Sequence, residues 1–124
     1  MTLLFVDVGG FSSLAESATP EQVVTLLNEY FDAVCAIVLD CGGTVNELRG
    51  DGILAFWGAP VELRDHAARG CGAALRCRGR LARLDAEWVA RGLAPRRFRI
   101  GLHSGEVVVG EIGTRERAKY GAVG

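Results

Sequence analysis

Thr44-Val45-Asn46-Glu47-Leu48-Arg49-Gly50-Asp51-Gly52-Ile53-Leu54-Ala55-Phe56-Trp57 decides the fold. Two strand-like runs, Thr44 to Arg49 and Ile53 to Trp57, flank Gly50-Asp51-Gly52. Glycine and aspartate supply the tight turn of a β-hairpin. A hairpin means an antiparallel pair, which counts against a doubly wound parallel sheet.

Working outward, Leu3 to Val8 is a short apolar run that ends at Gly9-Gly10 and reads as a buried strand. Thr19-Pro20-Glu21-Gln22 predicts a helix start: Thr19 as N-cap, Pro20 at the first helical position, Gln22 closing a capping box. Val23, Leu26, Leu27, Tyr30, Val34 and Ile37 recur at helical spacing, so this helix should run to about Leu39 and stop before Gly42-Gly43. After Gly58-Ala59-Pro60 a long helix is expected from about Glu62 to Val89, with Ala74, Leu75, Leu81, Leu84 and Trp88 inward and its arginines on a solvated face. Phe98 to His103 and Glu106 to Ile112 read as another strand pair joined near Ser104-Gly105. Thr114 to Lys119 reads as a charged loop, and Tyr120 to Gly124 as the start of a further element. The order β-α-β-β-α-β-β predicts an α+β, ferredoxin-like or palm-type sandwich. Its sheet should be mainly antiparallel, with helices packed on one face.

The 124 residues make one compact domain, and 49% of them are hydrophobic, enough for a core. A net charge of −1 argues against a nucleic-acid partner, which calls for a basic face. No stretch is expected to cross a membrane, and the N-terminus lacks a basic signal-peptide start. Cys35, Cys41, Cys71 and Cys77 lack C-x-x-C spacing and read as reduced packing thiols of a cytoplasmic protein.

Two carboxylates stand out by placement. Asp7 lies at the end of the first strand and Asp51 in the hairpin turn. If those strands are neighbours, both acids meet at one end of the sheet and suit Mg²⁺ or Mn²⁺, which take hard oxygen ligands. Read by spacing alone, the same residues are equally ordinary turn formers. Backbone N–H groups after the first strand, near Gly9, Gly10 and Phe11, are placed to hold a polyphosphate.

Phe5-Val6-Asp7-Val8-Gly9-Gly10-Phe11-Ser12 resembles the F-x-D-I/V-x-G-F-S/T opening of class III adenylyl and guanylyl cyclases. Gly50 to Gly58 resembles their second metal segment. Gly42-Gly43-Thr44-Val45, Asp65-His66-Ala67 and Ile100 to Val107 match bacterial members, and Tyr120 with Gly124 fits their Y-x-x-x-G. The motifs follow in order along residues 1–124, a single partial cyclase homology domain by this resemblance.

The resemblance implies a cyclase that closes ATP or GTP into a 3′,5′-cyclic nucleotide and releases pyrophosphate. Two Mg²⁺ or Mn²⁺ ions would be held by Asp7 and Asp51, with the Val8 carbonyl as an extra ligand. Gly9, Gly10, Phe11 and Ser12 would hold the triphosphate. Members work as dimers with sites at the interface, so a homodimer is expected.

Three departures bear on function. Glu47 stands where adenylyl cyclases carry lysine and guanylyl cyclases carry glutamate, which accepts from guanine N–H groups. Gly121 occupies the second base-reading position and has no side chain to read with. The family's ribose- and phosphate-contacting Asn and Arg lie beyond Gly124, so a fragment or split domain with little activity alone is expected. The rival reading is an inactive cyclase-like regulatory or dimerisation module. His66, His103, Trp57 and Trp88 are expected to be structural.

Overall fold

Strand β1 (Thr2–Gly9) alternates as a strand with two unlike faces must: Leu4, Val6 and Val8 are buried, while Phe5 is 50% exposed. The computed structural model describes residues 1–9, 16, 18–49, 51–106, 108–112 and 119–123. After β1 come α1 (Pro20–Asp40), β2 (Thr44–Arg49), β3 (Gly52–Trp57) and α2 (His66–Ala90). Then follow β4 (Arg97–Ser104), β5 (Val108–Ile112) and β6 (Lys119–Val123). The fold is α+β, as expected, with a four-stranded antiparallel sheet in the order β2-β3-β1-β4. The first strand in sequence is therefore central.

Helix α1 begins as its capping box dictates. Gln22 N–H donates to Thr19 Oγ1 at 3.2 Å, and Thr19 N–H donates to Gln22 Oε1 at 2.9 Å. Its inner seam is Leu26, Tyr30, Val34, Ile37 and Val38. Contrary to expectation, α1 is long and apolar enough to cross a membrane by length and composition, with a mean hydropathy of 1.4. That apolarity serves the core, because the seam packs with Leu4, Val6, Val8, Ile53, Ala55 and Trp57 of the sheet.

Helix α2 starts at His66, later than the expected Glu62. The Asp65 carboxylate pairs with Arg69 Nε at 2.8 Å and does not cap the helix N–H groups. The buried seam runs Gly70, Ala73, Cys77, Leu81, Leu84, Trp88. Leu75, expected inward, is 67% exposed, because the seam passes through 73 and 77 and leaves 75 on the outer side. Each large aliphatic side chain so buried contributes about 1.5–3 kcal/mol. Both indoles are core residues with satisfied N–H groups: Trp57 Nε1 donates to the Cys41 carbonyl (3.1 Å) and Trp88 Nε1 to Glu29 Oε2 (2.8 Å).

The expected pairing of the strand after the long helix with the one following it does not occur. All eight residues of β4 pair with β1, from Thr2↔Ser104 to Gly9↔Arg97, and β5 pairs with β6 in a separate two-stranded sheet. Gly105 prolongs the β1–β4 pairing. Its N–H donates to the Met1 carbonyl and its carbonyl accepts from the Met1 amino group, both at 3.0 Å, so the pairing with the first strand extends one position past Ser104.

Candidate active site

The sheet face turned away from the helices gathers the candidate polar side chains. Asp7 projects there from β1, its side chain 41% exposed, opposite Gly52 of β3 and Arg99 of β4. Asp51 directly precedes Gly52, so the β1–β3 register brings both acids to the same end of the sheet. The Tyr30 phenol senses the negative charge of both: burial raises its pKa most, and Asp7 and then Asp51 raise it further.

Glu47 reaches the same face through an irregularity. The β2–β3 register shifts between Val45 and Glu47, so Val45 lies opposite Ala55 while Glu47 lies opposite Leu54. Without that bulge the two-residue period would turn Glu47 towards the helices with Val45. A cleft of about 440 Å³ results, lined by Phe5, Asp7, Glu47, Leu54, Arg99 and Gly101 among others.

Arg99 escaped the sequence reading. Its Nε lies 2.8 Å from Asp7 Oδ1, and its side chain is 69% exposed. The alternation Arg97-Phe98-Arg99-Ile100 carried the signal, since Phe98 and Ile100 pack against the core and the arginines must face the other way.

The other expected residues are spread differently. Val8 is buried on the helix side, leaving only its backbone available as a ligand. Gly9 ends β1, and a Cβ there would meet the Arg97 carbonyl oxygen at 2.7 Å, so glycine is what lets β1 and β4 close at this end. Gly10, Phe11 and Ser12 lie outside the described residues. Gly121 lies in β6 opposite Gly110, in the other sheet. His66 Nδ1 shares a 2.7 Å hydrogen bond with Thr2 Oγ1, a structural role.

Among the described residues no three His, Cys, Asp or Glu side chains gather as a metal cluster. The donor chemistry nonetheless fits a hard divalent cation: two partly exposed carboxylates at one sheet end. The Asp7–Arg99 pair is exposed enough for the guanidinium to swing aside.

The model of the adenylate and guanylate cyclase catalytic domain matches residues 1–124. The chain belongs to that family. This cyclase domain is 39% identical to Adenylate cyclase 1 of Rhizobium meliloti (strain 1021) over 124 residues, all of this chain and 19% of that protein. It is similar to the crystal structure of the guanylyl cyclase Cya2 at 41% identity and a TM-score of 0.88, covering 99% of this chain and 62% of that one. It is similar also to the adenylyl cyclase CyaB from P. aeruginosa at 30% identity and a TM-score of 0.91, covering 99% and 64%. The cyclase domain thus spans about a fifth of the curated relative and under two thirds of these solved chains.

Proposed function

We propose that this cyclase domain forms a 3′,5′-cyclic nucleotide and pyrophosphate from ATP or GTP, in a dimer, with Mg²⁺ or Mn²⁺ held by Asp7 and Asp51. The observation that supports this reading is the Asp7↔Gly52 register, which brings Asp51, the residue before Gly52, to the sheet end where Asp7 lines a cleft with Glu47 and Arg99. Bound there, the cations supply charge neutralisation on the phosphates and a more acidic ribose 3′-hydroxyl.

The protein's own part is placement. Asp7 and Asp51 set where the cations sit, and the Val8 carbonyl is the further oxygen at that strand end. By the family resemblance, the segment from Gly9 to Ser12 would hold the triphosphate. Glu47 accepts from a purine that presents donors, which favours guanine. With Asp7 engaged by a cation, the exposed Arg99 guanidinium would be released to pair with anionic oxygens. Holding the reacting groups in line and offsetting their charge is most of what phosphoryl transfer needs.

An apolar patch supports the dimer. Phe5, 50% exposed, and Leu54 stand on the open face beside the acids, and a second copy laid on that face would cover them. A cytoplasmic location belongs to the same reading, since all four cysteines are free thiols. The rival, an inactive regulatory module, draws on Gly121, which offers no side chain for base reading, and on Arg49, whose charge close to Asp51 would weaken metal binding.

The test is cyclase turnover with Mn²⁺ and each purine triphosphate, in the protein that carries this chain. Asp7→Ala and Asp51→Ala should each abolish turnover while leaving the fold intact by circular dichroism. Retained turnover in either variant would remove the metal assignment. A wild-type protein that binds nucleotide but forms no cyclic product would favour the regulatory module.

A further inference from the structure

Beneath the acidic end of the sheet lies a tyrosine to which the proposed chemistry gives no role. Tyr30, on the inner seam of α1, is fully buried. Its ring rests between Phe31 and Phe98, with centroids 5.2 and 5.8 Å away. Its hydroxyl donates to the Val6 carbonyl oxygen at 3.1 Å. That carbonyl belongs to the peptide that joins Val6 to Asp7.

The position of this bond is telling. Asp7↔Gly52 is the last pair of the β1–β3 ladder, and Asp51 follows at once in the turn. Strand ends fray, because the final pairs have ladder neighbours on one side only. Tyr30 adds a bond from the helix layer one residue before that last pair. Burial and the two nearby acids both hold the phenol in its protonated form, so it remains a donor.

We propose that Tyr30 is a positioning residue for the acidic pair, pinning the Val6–Asp7 peptide from below so that Asp7 and Asp51 meet a divalent cation already in place. This rests on the metal reading above. Tyr30 touches neither carboxylate nor substrate and acts only through the strand it anchors.

Tyr30→Phe deletes the donor and keeps both ring contacts. The nucleotide-free protein is titrated with Mn²⁺, free ion being read by electron paramagnetic resonance, and thermal unfolding is followed in parallel. Loss of an outer-shell support predicts about tenfold weaker Mn²⁺ binding, whereas an affinity within about twofold of wild type overturns the proposal whatever the melting temperature. Val34→Ala is the control for general loosening, as a fully buried residue on the same helix that makes no bond to the Val6 carbonyl. It should lower the melting temperature and leave Mn²⁺ affinity unchanged. Equal weakening by Val34→Ala would also overturn the proposal.

If Tyr30→Phe does not fold in buffer, both proteins are compared in trimethylamine N-oxide, which favours compact states. Failure to fold there as well assigns Tyr30 a purely structural role. A wild-type protein that binds Mn²⁺ no better than the Asp7→Ala/Asp51→Ala double variant overturns the metal reading itself. That outcome is distinct from one in which only Tyr30→Phe behaves as wild type.

Discussion

Asp7 and Arg99 face each other across β1 and β4 as direct cross-strand partners, with Arg99 Nε 2.8 Å from Asp7 Oδ1. A guanidinium thus stands where a divalent cation is proposed to bind, and the two compete for one carboxylate. The pair is well exposed, so solvent screening limits it to about 1 kcal/mol or less.

Arg99→Gln should therefore tighten Mn²⁺ binding to the nucleotide-free protein, by up to about fivefold at low salt, with the gain shrinking as salt rises. Calorimetric titration at two ionic strengths checks this. Unchanged or weaker binding would show that Arg99 does not compete for Asp7.

Glu47→Lys should shift the balance of kcat/KM from GTP towards ATP, by about tenfold or more, since a lysine donates where the carboxylate accepts. The bulge turns Glu47 into the cleft, where the substitution would meet a purine bound as proposed. Identical ratios in both proteins would place base selection elsewhere.

Gly9→Ala places a Cβ 2.7 Å from the backbone oxygen of Arg97, which cannot rotate away as a side chain would. Parting the β1–β4 ladder should cost about 1–3 kcal/mol in urea unfolding. No loss of stability would show that β4 yields easily at its start.

Much of this molecule was legible in local chemistry. The Thr19–Gln22 capping box, the Gly-Asp-Gly hairpin and the α1 seam were all readable, because each depends on neighbours in sequence. Three features were not. Arg99 meets Asp7 across 92 positions, and no local pattern says which strand lies beside β1. The partner of β4 was misread for the same reason: adjacency in sequence favoured β5, and the β1–β4 pairing, with the Met1–Gly105 bonds at its end, is long-range. The bulge before Glu47 breaks the two-residue period without a glycine or proline to announce it.

Thiol chemistry gives a pH test. Burial pushes the Cys77 thiol up from 9.0 to about 11, whereas Cys71 is exposed. A thiol reagent near neutral pH should label Cys71 well before Cys77. A group whose pKa rises on folding binds its proton more tightly when folded. Its stabilising effect is complete below pH 9.0 and is lost as pH climbs towards about 11. Cys35, also raised by burial, adds in the same direction. Urea midpoints measured across that window should fall, and fall less in Cys77→Ala. Equal slopes would take Cys77 out of the account.

The central place of β1 governs how the polypeptide matures. Thr2 waits for Ser104, so during synthesis β1 emerges from the ribosome long before β4, its second partner, exists. Until then it can pair on one side only, with β3. Its apolar side chains are left for chaperones or for mispairing, and the sheet is completed late, by contacts between strands far apart in sequence.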